Sequence, residues 1–91
     1  MKYGQDISFN HIIRDAPYPL VRIMLAYAES PNLSACAKCY ILGRVIEIAK
    51  RDGCPSYFDR GIYEDWYDSV VLLYDIYTEL CRQKYRNNNN N

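Results

Sequence analysis

The stretch from Gly61 to Arg86 constrains this chain more than any other. Ile62, Trp66, Val70, Leu73, Tyr77 and Leu80 recur there at the spacing of one helix face. Opposite them runs a row of carboxylates, Glu64, Asp68, Asp75 and Glu79. On a helical wheel the apolar arc passes from Ile76 through Leu80, Leu73, Trp66, Tyr77 and Val70 to Tyr67, about half of the circumference. A helix patterned in this way must lay a broad face on other elements, so the residues before it are expected to fold as shorter helices that cover that face.

Those helices can be placed by their start and stop signals. Asp6 or Ser8 can cap a first helix over residues 6–15, with Phe9, Ile12, Ile13 and Ala16 on one stripe. That helix must end before Pro17, because the residue preceding proline is pushed out of the helical region. Pro17 and Pro19 suit the start of a second helix, 19–29. From Leu20 to Ala28 only Arg22 is charged, so this segment is expected to be the most buried helix. Ser30-Pro31 reads as a cap and first position for a third helix, 31–52. It carries Ala35, Cys39, Ile41, Leu42, Val45, Ile46, Ile48 and Ala49 on its apolar side and Arg44, Glu47, Lys50 and Arg51 in a polar wedge. Gly53 and Pro55 supply its stop, and Gly43 inside it is suited to close approach by another helix. Cys54 to Arg60 is a loop, with Tyr57 and Phe58 expected on the core. Asp59 can cap the last helix, 60–86, roughly 40 Å long, with one end free to project. No segment shows the alternation of a strand.

The fold class follows: an all-α compact bundle of four helices in a single domain over residues 1–86, with an Asn tail, 87–91, expected to be disordered. At 91 residues the interior is small. Eleven basic and eleven acidic side chains cancel, which removes the electrostatic case for nonspecific nucleic-acid or anionic-membrane binding and favours self-association. No stretch has the length needed to span a bilayer, and the N-terminal residues carry no apolar run of a signal peptide. A cytoplasmic, intracellular setting is therefore expected, with all four cysteines as reduced thiols. The sequon Asn32-Leu33-Ser34 carries no weight in that setting. Ten tyrosines suit either half-buried boundary positions of a small core or an interface.

Chemistry has few candidates. Glu64, Asp65 and Asp68 lie close together on a helix, but acid–base catalysis needs a desolvated pocket, and an outer acidic stripe is the opposite environment. His11, the one histidine, has no nucleophile motif to join, and the glycines form no phosphate loop. The chain is read as no enzyme and as needing no cofactor. Cys36-Ala37-Lys38-Cys39 is a C-x-x-C, and Cys36 and Cys39 are the alternative metal ligands, for zinc, with Cys54, Cys81 or His11 completing the site. A full zinc signature has a second such pair, which this sequence lacks. A helix-turn-helix DNA regulator is a further alternative, with Lys38, Arg44, Lys50 and Arg51 on the reading helix, set against zero net charge.

The function expected is that of a small accessory or inhibitor-type protein that binds another protein, or itself. The expected docking surface is the outer face of the last helix: Glu64, Asp68, Asp75 and Glu79 to steer a partner with a basic surface, and Tyr67, Tyr74, Val71 and Leu72 to supply contact area.

Overall fold

The computed structural model describes residues 9–89, with side chains as far as Arg86. It is all-helical: α1 spans Phe9–Arg14, α2 Pro19–Ala28, α3 Ala35–Asp52 and α4 Arg60–Asn89. The candidate caps Asp6 and Ser8 lie outside the described residues.

Each boundary has a local cause. Tyr18, which precedes Pro19, is extended (φ −123°, ψ 139°), and Pro19 opens α2. The third helix starts at Ala35 rather than at Pro31. Ser30 spends its side chain on its own turn, accepting from the Asn32 N–H at 3.3 Å. Its carbonyl accepts from the Leu33 N–H at 3.2 Å. Ser34 is the cap, its hydroxyl accepting from the Ala37 N–H at 3.2 Å. Gly53 ends α3 with φ 69°, a left-handed conformation that side chains resist, while its N–H closes on the Ala49 carbonyl at 2.8 Å. Asp59 caps α4 as expected, accepting from the Ile62 N–H at 2.9 Å. The helix runs through Asn89, beyond the expected end at Arg86. No glycine or proline stops it there, and extending an existing helix is far easier than nucleating one.

The core joins all four helices: Phe9 and Ile12 of α1 with Ala16 beyond it, Val21, Leu25 and Ala28 of α2, Leu42, Val45 and Ala49 of α3, and Trp66, Val70 and Leu73 of α4. The largest contact is between α3 and α4; α2 packs on α3, and α1 bridges α2 to α4. The Trp66 indole N–H donates to the Ile12 carbonyl at 2.8 Å. That carbonyl is an orphan of the helix end, because the Ala16 N–H bonds to Ile13 instead.

The expectation that α2 is the most buried helix is overturned. It buries Val21, Leu25 and Ala28, but Leu20, Ile23 and Tyr27 are 59%, 66% and 63% exposed. Among the described residues, helix α2 has neighbours only on the side of α1 and α3, and its other apolar side is exposed. Tyr57 is also not on the core; its ring is exposed and only its hydroxyl is engaged, donating to the Pro17 carbonyl at 3.1 Å. Ile62 and Leu80, on the apolar arc of α4, are exposed.

Five of the nine described tyrosines occupy the boundary. Tyr18, Tyr63, Tyr67, Tyr74 and Tyr77 pack against the core while half-buried. Two of them close the end of α3. The Tyr63 hydroxyl donates to the Ala49 carbonyl at 2.9 Å, and the Tyr18 hydroxyl donates to the Gly53 carbonyl. Burial raises the pKa of both phenols above their ordinary value.

Candidate functional site

Helices α3 and α4 run antiparallel, and their seam has a regular register. In the first turn of α3, Cys36 is disulfide-bonded to Cys81, with Cα atoms 4.9 Å apart. One turn further along α3, the Cys39 sulfur lies 3.1 Å from the Thr78 hydroxyl. One more turn brings Gly43 against Tyr74. A Cβ at Gly43 would sit 3.2 Å from Cε1 of that ring, so the glycine admits the tyrosine as a helix neighbour. Steps of three and four residues on α3 are matched by the same steps in reverse on α4, which is how antiparallel helices keep one stripe in contact.

The disulfide corrects the expectation of four reduced thiols. It also removes Cys36 from the alternative zinc pair, since a disulfide sulfur is no thiolate ligand. The Cys39 thiol faces Thr78, and among the described residues no group of three His, Cys, Asp or Glu side chains is arranged to hold a metal ion. Cys39 and Cys54 are free thiols. Reduced thiols were expected as a consequence of a cytoplasmic setting, and the bridge departs from that consequence. What the structure adds on location is narrower: among the described residues no helix is long and apolar enough to cross a membrane.

On α4, Glu64, Asp68, Asp75 and Glu79 are all exposed. Glu79 meets Arg82 at 3.5 Å and accepts from the Gln83 amide at 3.2 Å. The apolar flank of this row is only partly open. Tyr67 is half-buried and stacks on Tyr63 with ring centres 6.4 Å apart, Tyr74 is held against Gly43, and Val71 and Leu72 are half-buried. Of this flank, Tyr74 is part of the α3 seam. The structure therefore brings the acids together in water and turns Tyr67 and Tyr74 towards the bundle.

The basic residues of α3 are largely engaged within the protein. The Lys38 ammonium sits 5.8 Å from the Phe9 ring centre and 5.3 Å from that of Tyr77. Arg44 pairs with Glu47 at 2.8 Å and Arg51 with Asp52 at 2.9 Å. The hydrogen bond from Arg51 lowers the Asp52 pKa. Both ion pairs are solvent-exposed and add little stability.

Between α1 and α4 a hollow of about 120 Å³ is lined by His11, Ile12, Asp15, Ile62, Asp65, Trp66 and Ser69. Sites for drug-sized molecules run to several hundred Å³, so this one suits nothing larger than a few solvent molecules. The exposed row on α2 and the disulfide are the two features that sequence reasoning missed. A signal existed for each: α2 is apolar on more sides than a small bundle can cover, and Cys36 and Cys81 lie near opposite ends of two helices that pair antiparallel. Comparison with known protein families, with characterised proteins and with solved structures finds no match for the chain.

Proposed function

We propose that the chain is a non-enzymatic protein-interaction module that pairs with a second copy of itself through the outer row of α2. The observation that carries this is the exposure of Leu20, Ile23 and Tyr27 on successive turns of one helix. Single exposed apolar residues are ordinary, whereas a contiguous row on a small protein is the kind of surface that binds. A row of this kind is self-complementary about a two-fold axis, and a chain of zero net charge lacks the repulsion that would keep two copies apart. The exposed carboxylates of α4 lie in water rather than in the desolvated setting that acid–base chemistry needs.

Sedimentation velocity over a concentration series tests the proposal. Concentration-dependent dimers are expected for the unaltered chain, and monomers for Ile23→Glu with its helicity preserved. A chain that stays monomeric throughout, or an Ile23→Glu variant that dimerises equally well, refutes it.

We also propose the outer face of α4 as a docking surface for a basic protein partner. The specific support is the exposure of Glu64, Asp68 and Asp75 along one face, an arrangement that steers cationic surfaces. Charge reversal at Glu64, Asp68, Asp75 and Glu79 that left partner binding intact would eliminate this surface.

A further inference from the structure

We propose that Cys36, Cys81 and Cys39 form a thiol-exchange site that accepts small-molecule thiols and passes the disulfide from Cys36–Cys81 to Cys36–Cys39. The proposal is independent of the α2 and α4 docking surfaces.

Three observations carry it. First, the two residues of the disulfide are unequally exposed: Cys36 is exposed and Cys81 half-buried. An incoming thiolate therefore meets Cys36 first. Cys36 is also the second residue after the Ser34 cap, in the first turn of an 18-residue helix. There the positive end of the helix dipole favours an approaching anion.

Second, Cys39 is a free thiol on the same helix, three residues on. Positions i and i+3 place Cβ atoms about 5–6 Å apart, and a disulfide needs about 3.5–4.5 Å. A slight tightening of the first turn of α3 closes that gap, and this turn is preceded by a loop rather than by more helix. Thr78, at 3.1 Å, keeps the Cys39 sulfur on the seam, one turn of α4 away from Cys81.

Third, Cys81 marks where α4 leaves the bundle. Arg82, Gln83, Lys84, Tyr85 and Arg86 are all exposed, and the helix continues to Asn89. Releasing Cys81 therefore unpins the projecting end of α4 while the core around Trp66 and Val70 stays packed.

The chemistry balances without an external oxidant. A thiolate RS⁻ attacks the Cys36 sulfur; the Cys36–Cys81 bond breaks, and Cys81 leaves as a thiolate that takes a proton from water. The product is the mixed disulfide Cys36–S–S–R. The Cys39 thiol gives its proton to water, attacks the same Cys36 sulfur and expels RS⁻. One disulfide is lost and one formed, so the protein's oxidation level is unchanged and the thiol is regenerated.

Disulfide mapping tests this directly. Trypsin cuts after Arg22, Lys38, Arg44, Arg60 and Arg82, which places Cys36, Cys39, Cys54 and Cys81 in four different peptides. The oxidised chain is incubated with equimolar reduced glutathione, quenched in acid, alkylated, digested and mapped by mass spectrometry over time. The expected product joins peptide 23–38 to peptide 39–44, with alkylated Cys81 in peptide 61–82. In Cys39→Ser that linkage is lost and glutathione accumulates on Cys36. If the unaltered chain passes from Cys36–Cys81 straight to reduced thiols, or accumulates the Cys36 mixed disulfide as Cys39→Ser does, the proposal is refuted. The time course of the unaltered chain decides the matter even if the variant folds poorly.

Discussion

Removing the Cys36–Cys81 disulfide should be the largest single loss of stability available without touching the core. The bridge spans 45 residues of sequence. Closing a loop of that length in the unfolded chain is worth about 4 kcal/mol by the chain-entropy relation, and native bridges commonly deliver about 2–4 kcal/mol. Replacing both cysteines by serine creates little cavity, since Cys36 is exposed and Cys81 half-buried, so the loss should come chiefly from the freed unfolded state. Urea denaturation followed by circular dichroism measures it. With a denaturant slope of about 1 kcal/mol/M for a chain of this size, the midpoint should fall by about 2–4 M. The slope itself should rise, because an unfolded chain without the cross-link exposes more surface. Amide exchange should quicken most at the end of α4 around Cys81. A loss under about 1 kcal/mol with an unchanged slope would mean that the bridge does not restrict the unfolded chain, and the reasoning would fail.

Two further perturbations probe the joints between helices. Trp66→Phe removes the donor to the Ile12 carbonyl and leaves a buried acceptor unpaired, at a cost of about 1–3 kcal/mol. Urea denaturation by circular dichroism should show that loss, with faster amide exchange in α1; a change below about 0.5 kcal/mol would mean that the bond does not hold α1 to α4. Alkaline pH should destabilise the fold through Tyr18 and Tyr63. Their unfolded phenols ionise near the ordinary value of 10.0, and burial holds the folded ones above it. The stability they contribute is thus full below that pH and is lost as pH rises through the folded-state values. Thermal midpoints should decline above about pH 10, and Tyr18→Phe with Tyr63→Phe should flatten the decline; an unchanged pH profile in the double variant would rule these groups out.

Most of the helices were legible because their signals are local. Asp59 and Gly53 act within a turn of where they sit, and the repeat of Trp66, Val70 and Leu73 needs only the period of a helix to declare a buried face. The start of α3 was displaced because Ser30 and Ser34 offer the same chemistry, and the choice between them depends on which one spends its hydroxyl on a turn. The exposed acidic row on α4 was legible as a pattern of charge. Which tyrosines beside it remain open was not, because that depends on how closely α3 approaches at Gly43.

The sequence by itself determined the helical class, the stop of α3 at Gly53, the cap of α4 at Asp59, and the face of α4 that turns inward, since each follows from spacing and backbone chemistry along the chain. Tertiary structure alone decided which side of α2 meets water. A segment apolar on nearly every side gives no preference to one face, and the number of neighbours a four-helix bundle can place around it settles the choice. It also decided that Cys36 pairs with Cys81 rather than with Cys39. A disulfide forms between sulfurs that the fold brings within bonding distance, and the antiparallel register of α3 and α4 sets that distance across 45 residues of chain.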